Sequence, residues 1–257
     1  MSHLSALIFD VDGTLADTER DGHRVAFNLA FEAAGLDWKW SPELYGELLA
    51  VTGGKERIHF YLEKYNTDYQ KPKDFDDFVA TLHASKTRLY TLLLSEGKIP
   101  LRSGVERLIR EAKDTGILMA IATTTTPENV TALLTYTLGA ESIAWFEVIG
   151  AGDIVSQKKP APDIYNFVME KMNLTPDSCI AFEDSFNGIQ STVQAGLPTI
   201  ITTNGYTEYD DFSEALVVLD QMGEPDYPFK VNKGEVQDKT YLDMELVRSL
   251  HKAATIR

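Results

Sequence analysis

Ala6-Leu7-Ile8-Phe9-Asp10-Val11-Asp12-Gly13-Thr14 is the stretch from which the fold can be read. Its short apolar run, too brief for a helix, predicts a strand buried on both faces. The strand ends on two aspartates one residue apart, and side chains so spaced on a strand share a face. Two carboxylates held together repel each other, while Gly13 lets the chain turn away behind them. Taken alone, the stretch reads equally as an Asp-Gly turn or as a divalent-cation site at a strand end. Hard carboxylate oxygens suit Mg²⁺, which neutralises the pair and any phosphate brought beside it.

Working outward, further apolar runs at residues 117–122, 146–149, 178–182, 199–202 and 216–219 predict five more strands after the one at 4–9. Helical periodicity at residues 103–114, 127–138, 161–172 and 185–195 alternates with them. Strands joined by helical crossovers predict an α/β fold with a doubly wound, Rossmann-like parallel sheet. Ligands in such sheets bind beyond the C-terminal strand ends. Between about residues 21 and 96 only helical patterns occur, at 22–35, 42–51, 55–65 and 75–95. That is too long for a crossover and predicts an inserted all-helical domain. The expected organisation is a discontinuous core of residues 1–18 and 97–257, with a helical domain at 19–96. Residues 221–257 form a C-terminal extension, expected to be irregular up to an outer helix at 242–253.

The 257 residues, 44% hydrophobic and 25% charged, suffice for one large domain with an insertion. Asp and Glu number 39 against 24 Lys and Arg, a net charge of −15. That balance argues against nucleic acid or an anionic membrane as partner. A small phosphorylated substrate stays compatible, because exposed charges are screened beyond about 8–10 Å. No apolar stretch approaches the roughly 18 residues of a membrane span. The start, Met1-Ser2-His3-Leu4, has no basic and apolar leader pattern, so no signal or transit peptide is expected. The single cysteine, Cys179, reads as a buried thiol in a reducing compartment. A monomer in the cytoplasm is expected, or in the plastid stroma if a transit peptide has been removed.

Three later strand ends bear on Asp10 and Asp12. Thr123-Thr124-Thr125-Thr126 offers hydroxyls and free N–H groups before a helix. Lys158-Lys159-Pro160-Ala161-Pro162 can turn a lysine back toward the sheet edge, and Glu183-Asp184-Ser185 supplies a second carboxylate pair. Each alone has an ordinary explanation as a helix cap or a solvated charge. All occur at successive strand ends, which a parallel sheet brings to one edge.

Asp10-x-Asp12-Gly13-Thr14, Thr123, Lys159-Pro160 and Glu183-Asp184, in that order, resemble the four motifs of the haloacid dehalogenase superfamily. The helical insertion resembles the cap of its β-phosphoglucomutase-like branch, and the similarity spans about residues 4–219. The resemblance implies that Asp10 is the nucleophile, while Asp12 protonates the leaving oxygen and then activates water. It implies Mg²⁺ on Asp10, the backbone carbonyl of Asp12 and Asp184, with Glu183 a direct or water-mediated ligand. Thr123 and Lys159 complete the implied catalytic set, and Thr124 and Thr125 stand beside Thr123 to hold phosphate. A carboxylate attacks an anionic phosphoryl group poorly unless its charge is neutralised, which the metal and Lys159 would do.

Within the insertion, Gly53-Gly54-Lys55 is not a nucleotide phosphate loop: Leu49 and Glu56 stand where that motif needs Gly and Ser or Thr. Together with Asp17-Thr18-Glu19-Arg20-Asp21-Gly22-His23-Arg24, Trp38 and Leu44-Tyr45-Gly46-Glu47-Leu48-Leu49, the stretch resembles the CbbY-type phosphatases of photosynthetic organisms. Members of that group hydrolyse xylulose-1,5-bisphosphate, an inhibitor of Rubisco, to xylulose 5-phosphate. The resemblance implies that Glu19 contacts sugar hydroxyls and that Gly53, Gly54, Lys55, Glu56 and Arg57 grip the phosphate that stays. Lys86 and His23 are further candidate contacts. A phosphosugar mutase and a catalytically silent phosphosugar sensor stand as the alternatives.

Overall fold

The computed structural model describes residues 3–255; residues 1–2 and 256–257 of the expected core lie outside the described residues. The chain runs β1 (Ala6–Phe9), a π-helical turn (Glu19–His23), α1 (Arg24–Ala33), α2 (Pro42–Leu48), α3 (Gly54–Lys64), α4 (Phe75–Ser95) and α5 (Val105–Asp114). It continues through β2 (Leu118–Ala122), α6 (Pro127–Leu138), β3 (Val148–Gly150), α7 (Asp163–Met172), β4 (Cys179–Glu183), α8 (Phe186–Gln194) and β5 (Thr199–Thr202). The last elements are β6 (Val217–Leu219), β7 (Val231–Lys233) and α9 (Met244–Thr255). The strands form one seven-stranded sheet in the order β3-β2-β1-β4-β5-β6-β7.

Alternation along the strands decides how the helices pack. Leu7, Phe9, Ile121, Ile180 and Phe182 face one layer, which holds residues of α5, α6 and α9. Ala6, Ile8, Ala120, Ala122 and Ala181 face the other, against Ile164, Tyr165, Val168 and Met169 of α7. The alanines on that face leave room for α7 to lie close to the sheet. The Phe9 and Phe182 rings stack at 4.6 Å between centroids and lock β1 to β4. Several helices start where the sequence caps them: Ser41, Thr126 and Ser185 accept from Leu44, Asn129 and Gly188 N–H, each cap contributing about 1 kcal/mol.

Residues 19–96 carry helices and no strand among the described residues. They have a separate hydrophobic cluster built on Phe27, Phe31, Trp38, Trp40, Tyr45 and Tyr61.

The C-terminal stretch departs from expectation. β7 pairs antiparallel with β6, so the sheet is not wholly parallel and residues 221–241 are not merely irregular. With three residues and two of them exposed, β7 has no apolar alternation to betray it. Leu242, Leu246 and Val247 are buried in the main core beside α5, so the last helix packs one face there and leaves the other exposed. Leu242→Ala should therefore cost about 2–5 kcal/mol in denaturant unfolding. A loss below about 0.5 kcal/mol, the level of a surface change, would contradict this placement.

Candidate active site

Register brings the strand ends together. Phe9 pairs with Ile121 of β2 and with Phe182 of β4, so Asp10 emerges between the residues that follow them. Carboxylate oxygens of Asp10, Glu183 and Asp184 lie within 4.8 Å of one another, all three residues buried. Lys159, from the loop before α7, donates to Asp10 Oδ1 and to Glu183 Oε1, each at 2.6 Å. The Tyr165 hydroxyl donates to the same Glu183 oxygen at 2.5 Å, and Asn204 Nδ2 donates to Asp184 Oδ2 at 2.7 Å. Gly13 is needed here twice over: its φ is +88°, and a Cβ would run into the Asp184 carboxylate and the Asn204 amide.

The electrostatics follow from burial. Loss of water raises the Asp10 carboxyl well above the ordinary range, Lys159 opposes it, and Glu183 and Asp12 add to it. Asp184 is likewise raised by burial and by Asp10 and Glu183, with Arg102 and Asn204 opposing. At Lys159 burial works against the charge, but Asp10 and Glu183 outweigh it and hold the ammonium protonated. One ammonium against three carboxyl groups leaves the cluster short of positive charge, which is why Asp10 and Asp184 are pushed up, and presents a set of hard oxygen donors. Those residues fit a divalent cation.

Asp12 turns away from this group. Its Oδ1 accepts from Thr18 Oγ1 at 2.6 Å and meets His23 Nε2 at 2.8 Å. His23 Nδ1 lies 2.8 Å from Lys86 Nζ. A charged Lys86 can only donate, so Nδ1 accepts and the ring hydrogen sits on Nε2, facing Asp12. Burial acts to raise Asp12, but His23, Thr18 and Lys86 together outweigh it and hold the carboxyl at about 2. Burial also pushes Lys86 down to about 8, against the pull of Asp12 and Glu19.

The helical segment adds a second cluster. Tyr45 donates its hydroxyl to Glu19, and Arg57 donates to the Tyr45 oxygen at 2.7 Å while lying 3.6 Å from Glu19. Asp10, Asp12, Glu19, Arg57, Thr124, Lys159 and Asp184 all line one cavity of about 570 Å³. A neighbouring cavity of about 440 Å³ is lined by Gly53, Gly54, Lys55, Glu56, Lys86, Thr125 and others. Lys55 and Glu56 are engaged across the cleft, with Asp153 at 3.2 Å and Lys158 at 2.7 Å respectively. Thr123 is buried and lines neither cavity; its Oγ1 accepts from the Thr125 N–H at 3.3 Å. Thr125 in turn accepts from Asn129 Nδ2 at 3.0 Å.

Sequence reasoning did not single out Tyr45, Tyr165 or Asn204 as site residues. Asn204 stands two places beyond a predicted strand end, a position that could have been weighed. Tyr45 and Tyr165 lie inside helices whose hydroxyl partners come from distant segments, so no local signal marks them.

Residues 4–196 match the haloacid dehalogenase-like hydrolase family. A CbbY protein of Cupriavidus necator is 42% identical over 253 residues, covering 98% of this chain and 99% of that one. The crystal structure of CbbY from Rhodobacter sphaeroides in complex with phosphate superposes with a TM-score of 0.78 at 44% identity, covering 85% of this chain and 94% of that one. A mutant of the same protein, in complex with xylulose-1,5-bisphosphate, matches with the same TM-score of 0.78, identity of 44% and coverage of 85% and 94%. The chain belongs to the haloacid dehalogenase-like hydrolases, and within them it is a phosphatase similar to the CbbY proteins.

Proposed function

We propose that this chain is a Mg²⁺-dependent phosphatase that takes one phosphate from a sugar bisphosphate, with xylulose-1,5-bisphosphate the first candidate, through an aspartyl-phosphate on Asp10. The observation that carries the reading is the single cavity lined at once by Asp10, Lys159 and Asp184 and by Glu19 and Arg57. A bisphosphate needs both parts: one phosphate reacts while the other is held by a cation such as Arg57. The similar CbbY protein bound to xylulose-1,5-bisphosphate supports that choice of sugar.

In this reading residues 19–96 act as a cap over the core formed by residues 1–18 and 97–257. A carboxylate oxygen of Asp10 attacks phosphorus as the bond to the sugar oxygen breaks. Asp12 protonates that departing oxygen, then removes a proton from the water that hydrolyses the aspartyl-phosphate. In the free site Asp12 is held ionised, which suits the second half of the cycle; an arriving phosphate dianion raises its proton affinity for the first. Asp10, Asp184 and the Asp12 backbone carbonyl would hold Mg²⁺, which would supply positive charge to offset that of the phosphoryl group. Glu183 is a direct or water-mediated ligand through Oε2, since Oε1 already serves Lys159 and Tyr165. Lys159 neutralises Asp10, and Thr124, which lines the same cavity, supplies donors to the phosphoryl oxygens, with Thr123 and Thr125 bracing the turn behind it. Glu19 meets sugar hydroxyls, and Gly53, Gly54, Lys55 and Glu56 shape the entrance around Arg57.

Inorganic phosphate release across mono- and bisphosphorylated pentoses and hexoses, with and without Mg²⁺, tests this directly. Release should require Mg²⁺ and favour a pentulose bisphosphate, and Asp10→Asn should lower it by at least about a thousandfold. An isomerised sugar phosphate with no free phosphate would point to a mutase, and full activity of the variant would exclude the aspartyl-phosphate route.

The buried Lys86 gives a second test. Its folded value is about 8 against an ordinary 10.5, so below pH about 8 the folded state carries the full cost of the buried charge. That cost fades as pH rises toward 10.5, where the unfolded chain also loses its proton. The stability of Lys86→Met relative to the parent should therefore fall by on the order of 3 kcal/mol across that interval in denaturant unfolding. A difference independent of pH would contradict the placement of a charged Lys86 beside His23.

A further inference from the structure

Arg102 lies just ahead of α5, where the chain returns from the helical segment to the sheet, and its charge opposes the rise at Asp184. Nη1 donates to the carbonyl of Gly13 and to that of Thr202 at 3.0 Å, with the Thr202 hydroxyl at 3.3 Å. Nη2 donates to the carbonyls of Thr203 at 2.5 Å and Asp220 at 2.7 Å. Nε lies 3.4 Å from Asp17, and only 8% of the side chain is exposed. The backbone N–H of Arg102 adds a bond to the Leu15 carbonyl at 2.8 Å. One residue thus joins the loop after β1 to the ends of β5 and β6.

Of the loops it joins, the one after β1 carries Asp10 and Asp12, and the one after β5 reaches Asp184 through Asn204. Gly13 follows Asp12, and Thr203 precedes Asn204, which donates to Asp184 Oδ2 at 2.7 Å. These two loops are already in contact, since a Cβ on Gly13 would lie 2.7 Å from Asn204 Nδ2. Any slack between the loops would therefore change the gap between the Asp12 backbone and the Asp184 carboxylate.

We propose that Arg102 is a positioning residue that sets this gap and with it the cation affinity of the site. The proposal rests on the reading that Asp10, Asp184 and the Asp12 carbonyl hold a divalent cation. Arginine suits the task because its planar fork presents five donors in fixed directions, whereas a lysine ammonium cannot span carbonyls from three separate segments.

Arg107 provides a matched comparison. It also brackets the chain, through Glu224 at 2.8 Å and the carbonyls of Leu242 at 3.0 Å and Gly223 at 2.7 Å, but it touches neither carboxylate loop. Mn²⁺ binding by substrate-free protein, read by electron paramagnetic resonance of the unbound ion, separates positioning from general bracing. Arg102→Gln and Arg102→Lys should each weaken Mn²⁺ binding by about tenfold or more. Arg107→Gln should lose stability while keeping Mn²⁺ affinity within about twofold of the parent. Should Arg102→Gln fail to fold, Arg102→Lys carries the test. Parental Mn²⁺ affinity in a folded Arg102 variant overturns the proposal alone, as does an equal loss in Arg107→Gln. Failure of the parent chain to bind Mn²⁺ overturns the metal reading beneath it, and the proposal with it.

Discussion

Three buried carboxylates share a space less than 5 Å across with a single ammonium in hydrogen-bonding contact, and the rest of the site is arranged around that imbalance. Removing charges from water is expensive unless partners restore what is lost. Lys159 restores part of it to Asp10 and Glu183, Tyr165 donates to Glu183, and Asn204 donates to Asp184. The shortfall of positive charge that remains, with the hard oxygens around it, fits a divalent cation. The sheet makes the crowding possible: β1 and β4 pair in register and deliver Asp10 and Asp184 from neighbouring strand ends. Gly13 lets the backbone pass beneath them.

The helical segment meets the sheet edge through contacts of a different kind. Lys55 with Asp153 and Lys158 with Glu56 are partly exposed ion pairs, each worth about 0–1 kcal/mol. Tyr206, from the loop after β5, packs against the cluster of the helical segment beside Gly46. These pairs add little to the apolar contact in which Ala26, Tyr90, Leu93 and Leu94 of the helical segment join the main core.

Much of this arrangement could be read from residues that lie at strand ends. Short apolar runs mark β1, β2, β4 and β5 because strands buried on both faces carry no alternation to confuse them with amphipathic elements. Asp10, Glu183 and Asp184 stand out because charged residues directly after such runs have few structural reasons to be there, and Lys159 because Pro160 follows it in the next loop. What could not be read depends on partners far apart in the chain. The bond between His23 and Lys86 joins residues 63 positions apart, and Arg102 reaches carbonyls 89 to 118 positions away. For Gly53-Gly54-Lys55-Glu56-Arg57 the resemblance implied one phosphate grip. In the structure Arg57 turns to Glu19 and Tyr45, while Lys55 and Glu56 turn to Asp153 and Lys158. Helix phase places side chains on faces but does not say which distant charge will meet them. β7 escaped because three residues with one partly buried side chain are too few for any periodicity.

The most direct test of the central claim is an anomalous-scattering map from crystals of the full chain soaked in Mn²⁺. One strong peak should appear within coordination distance of Asp10 and Asp184, with the Asp12 carbonyl as a further ligand. A map with no peak between those side chains, in crystals that take up Mn²⁺ elsewhere, would contradict the claim that the carboxyl cluster at this sheet edge, short of positive charge, holds a cation.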